Sequence, residues 1–345
     1  MHHYAGLDIS MDETSICVLD ENGDILCEGA VPTEPEAISA FLEPFRETLR
    51  RAGLEAGSLT PWLCQELLAV DIPAICIETR HAKAAMQAQN VKTDRNDARG
   101  IAHMMRTGWF RAVHVKSTHS QKLRVLLGNR KFLLQKRFDI ECRIRGTLKA
   151  FGHKVGKVTV LGYEPRVREL LAGDAQLSEW VEPLLEARRT LLEQFKRLEK
   201  AILQYVHQDD VCRRLMSIPG VGPFTALTFK TSIDRPERFA KSANVGAALG
   251  LTPRKYASGP IDYDGRITKC GDALARTHLY EAAKVLLSRV TKWSAIKAWG
   301  LKIARRSSMK NACVAVARKL AVLMHRIWID GSTFQWSAEP KAVTA

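Results

Sequence analysis

The chain reads as an α/β amino-terminal domain followed by an all-α coiled-coil region and a mostly α carboxy-terminal domain. Three observations predict this. Short apolar runs separated by tight turns crowd the first part of the chain. Two very long helical patterns follow, at residues 119–151 and 177–206. Beyond them, glycine-rich turns punctuate further helices. The expected domains are 1–115, 116–208 and 209–335, with 336–345 as a flexible tail. A chain of 345 residues has room for two or three such domains, and an apolar fraction of 46% is enough for real cores.

The strands come first. Residues 4–10 form a short apolar run with Asp8 in its middle, and a second run covers 14–19. Glu21-Asn22-Gly23-Asp24 is a hairpin turn with Asn-Gly at its centre, and 25–31 completes an antiparallel meander. Residues 35–51 read as an amphipathic helix with Ile38, Phe41, Leu42, Phe45 and Leu49 on one face. A fourth strand, 52–55, ends in Glu55; a helix spans 59–70, and a fifth strand 72–78. Three antiparallel strands, then α, β, α, β, is the order of a ribonuclease-H-like sheet.

The acids fall into a pattern within that order. Asp94 and Asp97 stand three apart at the start of a helix, which puts both carboxylates on one face. Taken alone, Lys92-Thr93-Asp94-Arg95-Asn96-Asp97-Ala98-Arg99 reads slightly better as an ordinary capped helix start than as a metal site. Asp8 in the first strand and Glu55 at the end of its neighbour change the balance. Four carboxylates from three elements make a hard-oxygen set of the kind that holds Mg²⁺ or Mn²⁺ for phosphoryl transfer. Glu78 also ends a strand and rivals Glu55; the Gly-Leu-Glu-Ala-Gly setting and the fold order favour Glu55.

The formal net charge of +15 points to a polyanionic partner, nucleic acid (DNA or RNA) or an anionic membrane surface. No apolar run approaches the roughly 20 residues of a membrane span, and the chain opens in a strand pattern rather than a signal peptide. Eight scattered cysteines with no C-x-x-C read as buried free thiols in a reducing cytosol rather than as a zinc site or a disulfide framework. The 119–151 helix carries Arg124, Arg130, Lys131, Lys136, Arg137, Arg143, Arg145 and Lys149 against only Asp139 and Glu141. Arg130, Lys131 and Arg137 are the expected phosphate contacts there. On the 177–206 helix Val181, Leu184, Leu191, Phe195, Leu198, Ile202 and Tyr205 form a coiled-coil seam interrupted by Arg188. The seam pairs either within the chain or between chains.

Ile218-Pro219-Gly220-Val221-Gly222-Pro223 lies between two helical patterns. It is a helix-hairpin-helix-like turn in which Gly220 and Gly222 present backbone N–H groups to phosphate, or else a plain helix connection. Residues 250–272 are rich in glycine and in Arg254, Lys255, Arg266 and Lys269, an anion cradle around Ser258-Gly259. On chemistry alone Ser258 is a turn serine; no nearby histidine supplies a base, so a Ser-His-Asp hydrolase is unsupported. Residues 273–329 are helical and basic, and the tail after Asp330 looks frayed.

Taken together, Gly-Leu-Asp8-Ile, Glu55-Ala, Lys-Thr-Asp94-Arg-Asn-Asp97-Ala, Ile-Pro-Gly-Val-Gly and Gly-Leu-Thr-Pro-Arg-Lys-Tyr-Ala-Ser258-Gly resemble, over nearly the whole chain, the DEDD transposases of the insertion sequence 110 family. The resemblance implies a RuvC-like amino-terminal domain, a coiled-coil middle and a carboxy-terminal transposase domain. It implies Mg²⁺ on Asp8, Glu55, Asp94 and Asp97, and Ser258 as the nucleophile that joins DNA covalently. It further implies donor and target DNA as partners, a structured bridge RNA as guide, and a tetramer, a dimer of dimers, in which one protomer's serine completes another's acidic site. The setting of Glu55, Leu-Glu-Ala-Gly-Ser, departs from the family's frequent Ile-Glu-Ala-Thr-Gly. The alternative is a RuvC-like, Mg²⁺-dependent, structure-specific endonuclease in which water attacks and the carboxy-terminal half only binds.

Overall fold

A computed structural model describes residues 1–87 and 92–336. Val91, at the edge of the acidic stretch, and the tail from residue 337 onward lie outside the described residues. The chain divides into two compact units, Met1–Lys116 and Ser117–Ala345.

The first unit is built on a five-stranded sheet. β1 (His3–Ile9), β2 (Glu13–Leu19) and β3 (Ile25–Pro32) form the antiparallel meander, and Asp20 closes its second turn by accepting from the N–H groups of Asn22, Gly23 and Asp24. α1 (Pro35–Leu42) follows, then β4 (Leu49–Glu55), α2 (Thr60–Ala69), β5 (Ala74–Ile77), α3 (Thr79–Met86) and α4 (Asp94–Thr107). The strand order is β3-β2-β1-β4-β5, with β1, β4 and β5 parallel. This is the order expected from the sequence. The helix expected to run to residue 51 stops at Leu42. Pro44 confines the next residues to a 3-10 turn, Glu43–Phe45, and Leu49 to Arg51 belong to β4. The apolar spacing that looked helical there belongs to a strand.

Alternation along β1 and β4 sorts the residues onto two faces. Ala5, Leu7 and Leu54 pack on one face with Ile38, Leu42, Leu63 and Leu67 of α1 and α2. The other face is covered by α4, whose Ala98, Ile101, Ala102 and Met105 are buried.

The second unit is helical apart from one hairpin. α5 (Thr118–Ala150), α6 (Tyr163–Leu171) and α7 (Ala175–Gln208) come first. α5 and α7 run antiparallel: His119 bonds Tyr205, Arg130 pairs with Glu199, and Glu141 pairs with Arg188. The two long helices therefore pack on each other within the chain. Arg188, the polar interruption, is 2% exposed and bonds Glu141 at 2.8 Å and the Val160 carbonyl at 2.6 Å. α6, absent from the sequence reading, caps this end with Tyr163, Val167 and Leu171.

Then come α8 (Asp210–Leu215), α9 (Pro223–Ile233), α10 (Ala243–Ala248), β6 (Pro253–Ser258), β7 (Ile261–Ile267), α11 (Ala273–Ser288), α12 (Ala295–Arg306) and α13 (Met309–Asp330). Phe229, Leu286, Val316 and Leu320 lie in the core they share. The residues after Asp330 are not all frayed: Phe334 packs on this core and its N–H donates to Ser217 at 2.8 Å. Of the eight cysteines, none of them paired, Cys142 is exposed and Cys27 and Cys270 are half-buried, so the expectation of buried thiols holds for the other five.

Candidate active site

The acidic site is set by two glycines, Gly6 and Gly53, the second of them the first residue of the Gly-Leu-Glu-Ala-Gly setting. A methyl group on Gly6 would lie 2.1 Å from the Ala98 carbonyl oxygen and 2.3 Å from the Ala102 nitrogen. One on Gly53 would lie 2.8 Å from Ile101 and Met105 side-chain atoms. Without Cβ atoms at these positions, α4 lies directly on β1 and β4. Asp8 and Glu55 each stand two residues beyond such a glycine, on the same sheet face. β1 and β4 are parallel with Leu7 opposite Leu54, so the two acids are lateral neighbours at the carboxy-terminal ends of their strands.

The first turn of α4 completes the set. Thr93 caps the helix by accepting from the Asn96 N–H at 3.2 Å, which starts the helix at Asp94 and puts Asp94 and Asp97 in its first turn. All four carboxylates share one field. Burial, then Asp97, Asp94 and Glu55, push the Asp8 carboxyl up from 3.8 to about 6, with Lys92 pulling the other way. Glu55 is also raised, by burial first and then by Asp97, against a hydrogen bond from Thr79. A solvent-open cleft adjoins them, lined by Asp8, Ser10, Glu55, Gly57, Ser58 and Thr60 among others.

The donor set is all oxygen, and crowding of its charges favours a divalent cation there. The carboxylates share a field without standing at ligand distances, since among the described residues no three His, Cys, Asp or Glu groups are close enough together to hold a metal ion. Glu78 pairs with Arg80 at 2.8 Å and Arg111 at 3.7 Å, so it is engaged away from this set.

Two basic residues of the same stretch are engaged with the sheet. Arg95 and Arg99 both bond Glu28 of β3, and hold α4 to the sheet edge. Arg99, with a hydrogen bond to that carboxylate, holds Glu28 down at about 2 against the opposing push of burial, and Arg95 adds to it.

Ser258 belongs to the second unit. The expected loop is a two-stranded hairpin, β6 against β7, with Ser258 opposite Ile261 and Gly259-Pro260 as the turn. Gly259 has φ +54°, which a glycine at the first turn position accommodates. The base of the hairpin is rigid. Gly250 passes so close to Cys270, and Gly271 to Ala248, that a Cβ on either would lie 2.1 Å from a backbone oxygen. Arg276 ties the strands down through the carbonyls of Leu249, Cys270 and Gly271. Ser258, Arg254, Lys255, Arg266 and Lys269 are all exposed; Lys255 is paired with Asp262.

Other expected nucleic-acid contacts fare unequally. Arg130 is turned inward, bonded to Glu199 at 2.6 Å and lying 3.8 Å from the centre of the Phe224 ring. Arg137 is 14% exposed beside Glu141, and Arg124 is bonded to Asp272. The charge excess on α5 therefore overstates its free cations, because Glu199 and Asp272 come from distant parts of the chain. Lys131, Arg143 and Lys149 are exposed with no ion pair among the described residues. Gly220, at φ +87°, packs against α11, where a Cβ would meet the Ala282 carbonyl at 2.4 Å; Gly222 is open. Within the basic stretch 273–329, the joint of α12 and α13 presents an exposed cationic strip of Lys302, Arg305, Arg306 and Lys310. No helix among the described residues is long and apolar enough to cross a membrane.

Comparison with known proteins identifies the family. Residues 5–153 match a family profile described as "Transposase", for DEDD transposases of the IS110 type, and residues 212–298 match the profile "Transposase IS116/IS110/IS902 family". The chain is 28% identical to "Transposase for insertion sequence element IS1111A" of Coxiella burnetii, over 96% of this chain and 91% of that one. It is 28% identical to "Probable family 20 transposase" of Pseudomonas aeruginosa, over 68% of this chain and 71% of that one. It is 25% identical to "Putative transposase y4rJ" of Sinorhizobium fredii, over 93% and 90%. Among solved structures, RuvC from T. thermophilus in complex with a Holliday junction substrate aligns at 14% identity over 33% of this chain and 100% of that one, with a TM-score of 0.25, too low to bear on this chain's fold or function. With its first profile falling on the acidic sheet and its second on the serine hairpin, the chain belongs to the IS110 family of transposases.

Proposed function

We propose that the protein cuts and rejoins DNA through a covalent Ser258–DNA intermediate, with Asp8, Glu55, Asp94 and Asp97 holding Mg²⁺ or Mn²⁺. The reading is supported chiefly by the four carboxylates gathered under one field at the ends of β1 and β4. A divalent cation there would supply Lewis-acid polarisation of a phosphate oxygen. The chain's own groups do the rest. Ser258 Oγ attacks phosphorus, forming one P–O ester bond as the bond to the leaving deoxyribose oxygen breaks. The serine proton is lost and the leaving oxygen gains one. Phosphodiester number is conserved, so rejoining needs no outside energy. Arg254, Lys255, Arg266 and Lys269 offset the charge that builds on the phosphoryl oxygens.

The same reading takes residues 1–115 as the RuvC-like catalytic domain, 116–208 as a coiled coil, 209–335 as the transposase domain and 336–345 as a tail. It gives the turn at Gly220 and Gly222 a helix-hairpin-helix-like grip on nucleic acid, together with Lys131 and the α12–α13 strip. It takes the working protein as a tetramer, a dimer of dimers, guided by a bridge RNA and acting in the cytoplasm at the nucleoid. The net charge of +15 is in keeping with an RNA partner besides DNA.

The test is to incubate the protein with DNA carrying the element's ends and Mg²⁺, quench in denaturant, and map the DNA-bearing peptide. An adduct on Ser258 is expected, and Ser258→Ala should lose adduct and recombination together. Undiminished cleavage by Ser258→Ala with no adduct would mean that water attacks instead. An adduct on Tyr256 would keep covalent recombination and move the nucleophile.

A further inference from the structure

Tyr256 and Tyr263 face each other across the serine hairpin. Their rings are stacked, with centroids 5.0 Å apart and planes 18° from parallel. They stack in solvent: Tyr256 is 44% exposed and Tyr263 56%. Gly265 makes the arrangement possible, since a Cβ there would lie 2.8 Å from Tyr256 Cε2. The Tyr256 ring thus lies against both the Gly265 position and Tyr263, and Tyr263 is the more exposed of the two rings.

Period-two alternation puts Tyr256 and Ser258 on the same hairpin face as Ile261 and Tyr263. Ile261 is itself 55% exposed. Ser258 stands two strand positions beyond Tyr256, about 7 Å away, one nucleotide's reach. A two-stranded hairpin has no core of its own, and an exposed aromatic pair with an isoleucine beside it is unfavourable in water unless something covers it. The surrounding charge selects the cover. Arg254, Arg266 and Lys269 make no ion pair among the described residues, and all three are exposed on or beside the hairpin. An aromatic face flanked by cations suits a nucleic-acid strand, whose bases stack and whose phosphates pair.

We propose that the Tyr256–Tyr263 stack is a positioning platform for DNA: an unstacked nucleobase next to the cleaved phosphodiester lies on the exposed ring of Tyr263 and sets the register of the strand against Ser258. The choice of DNA as occupant rests on Ser258 being the nucleophile. Binding is therefore measured apart from cleavage. A missing adduct counts against the serine, and a missing tyrosine effect counts against the platform.

The experiment uses the full chain without divalent cation and a short labelled oligodeoxythymidylate, read by fluorescence anisotropy. Tyr263→Ala should raise Kd roughly tenfold. Tyr263→Phe, which keeps the ring, should bind as wild type, and Tyr263→Leu, which keeps apolar bulk alone, should bind as Tyr263→Ala. An abasic oligomer of the same length should bind the wild type and Tyr263→Ala equally. Full affinity in Tyr263→Leu would overturn the platform, as would an equal loss on the abasic strand. A loss confined to oligouridylate, with DNA unaffected, would make the occupant RNA and overturn it as well. Should Tyr263→Ala disturb folding, the Phe and Leu variants decide the matter between them.

Discussion

Asp8 and Ser258 both stand near the end of a strand, yet only Asp8 has a core beneath it. β1 is central in a five-stranded sheet, with helices on both faces and a backbone contact to α4 at Gly6. β6 has one partner, and every residue from Arg254 to Asp264 is exposed. The acids are held by packing, which fixes their mutual field before any ligand arrives. The serine is held only at the base of its hairpin, where Gly250, Gly271 and Arg276 tie it to the helices, and its tip projects into solvent. One region is preorganised; the other is presented. With Ser258 as the proposed nucleophile the contrast suits two tasks: charge is concentrated in advance, while the serine reaches out to a large substrate.

Substituting the same small residue in the two regions tests this contrast at its extremes. Gly6→Ala places a methyl group against the backbone of α4 and should destabilise the first unit by about 3 kcal/mol or more. Calorimetry should show the early melting, and cleavage should fall with it. A wild-type melting temperature would mean that α4 is not seated on β1 as described.

Asp97→Asn comes next. It removes one charge from the shared field with almost no change of shape, and should lower strand cleavage by roughly two orders of magnitude while leaving DNA affinity near wild type. Cleavage assays beside filter binding separate the two, and full cleavage would remove Asp97 from the site.

Glu28→Gln probes the outer clamp on α4. Because the Glu28 pKa is depressed from 4.5 to about 2, its contribution to stability is fully present above about 4.5 and is lost as pH falls through about 2. The variant should be less stable by about 2 kcal/mol at neutral pH. It should converge on the wild type in acid, measured by denaturant melts across that range. A pH-independent difference would count against the clamp.

The smallest effect is expected at Gly259→Ala. Nothing lies within 4 Å of the added methyl, and only the positive φ opposes it, at about 1 kcal/mol. Melting should hardly change. A loss matching that of Gly6→Ala would show the hairpin tip to be packed after all.

Much of this was legible beforehand. The strand order, the acids on β1, β4 and α4, and the two long helices follow from periodicity, turn residues and the Thr93 cap, all local signals. A close backbone approach at Gly53 is legible in the Gly-Leu-Glu-Ala-Gly setting, but not that α4 makes it, nor that Gly6 is a second such point, since nothing local distinguishes a strand glycine that receives a helix from one that does not. Helix α1 was drawn too long because apolar spacing at Leu49 fits a helix face as well as a strand. The arginines were misjudged for a related reason. Arg99, Arg124 and Arg130 find Glu28, Asp272 and Glu199, partners 71, 148 and 69 residues away by subtraction of their numbers. No count of nearby charges anticipates them.

The sequence by itself determined the kinds of chemistry available: four carboxylates, a Ser-Gly turn in a basic stretch, and a cationic excess. Those depend on residue type and short spacing, which the chain carries without folding. Tertiary structure decided which cations are free, how Asp8 titrates, and that Ser258 rides an exposed hairpin beside two stacked tyrosines. Each of these depends on what is buried and on which distant residues become neighbours, because solvation and Coulomb interaction act through space and not along the chain.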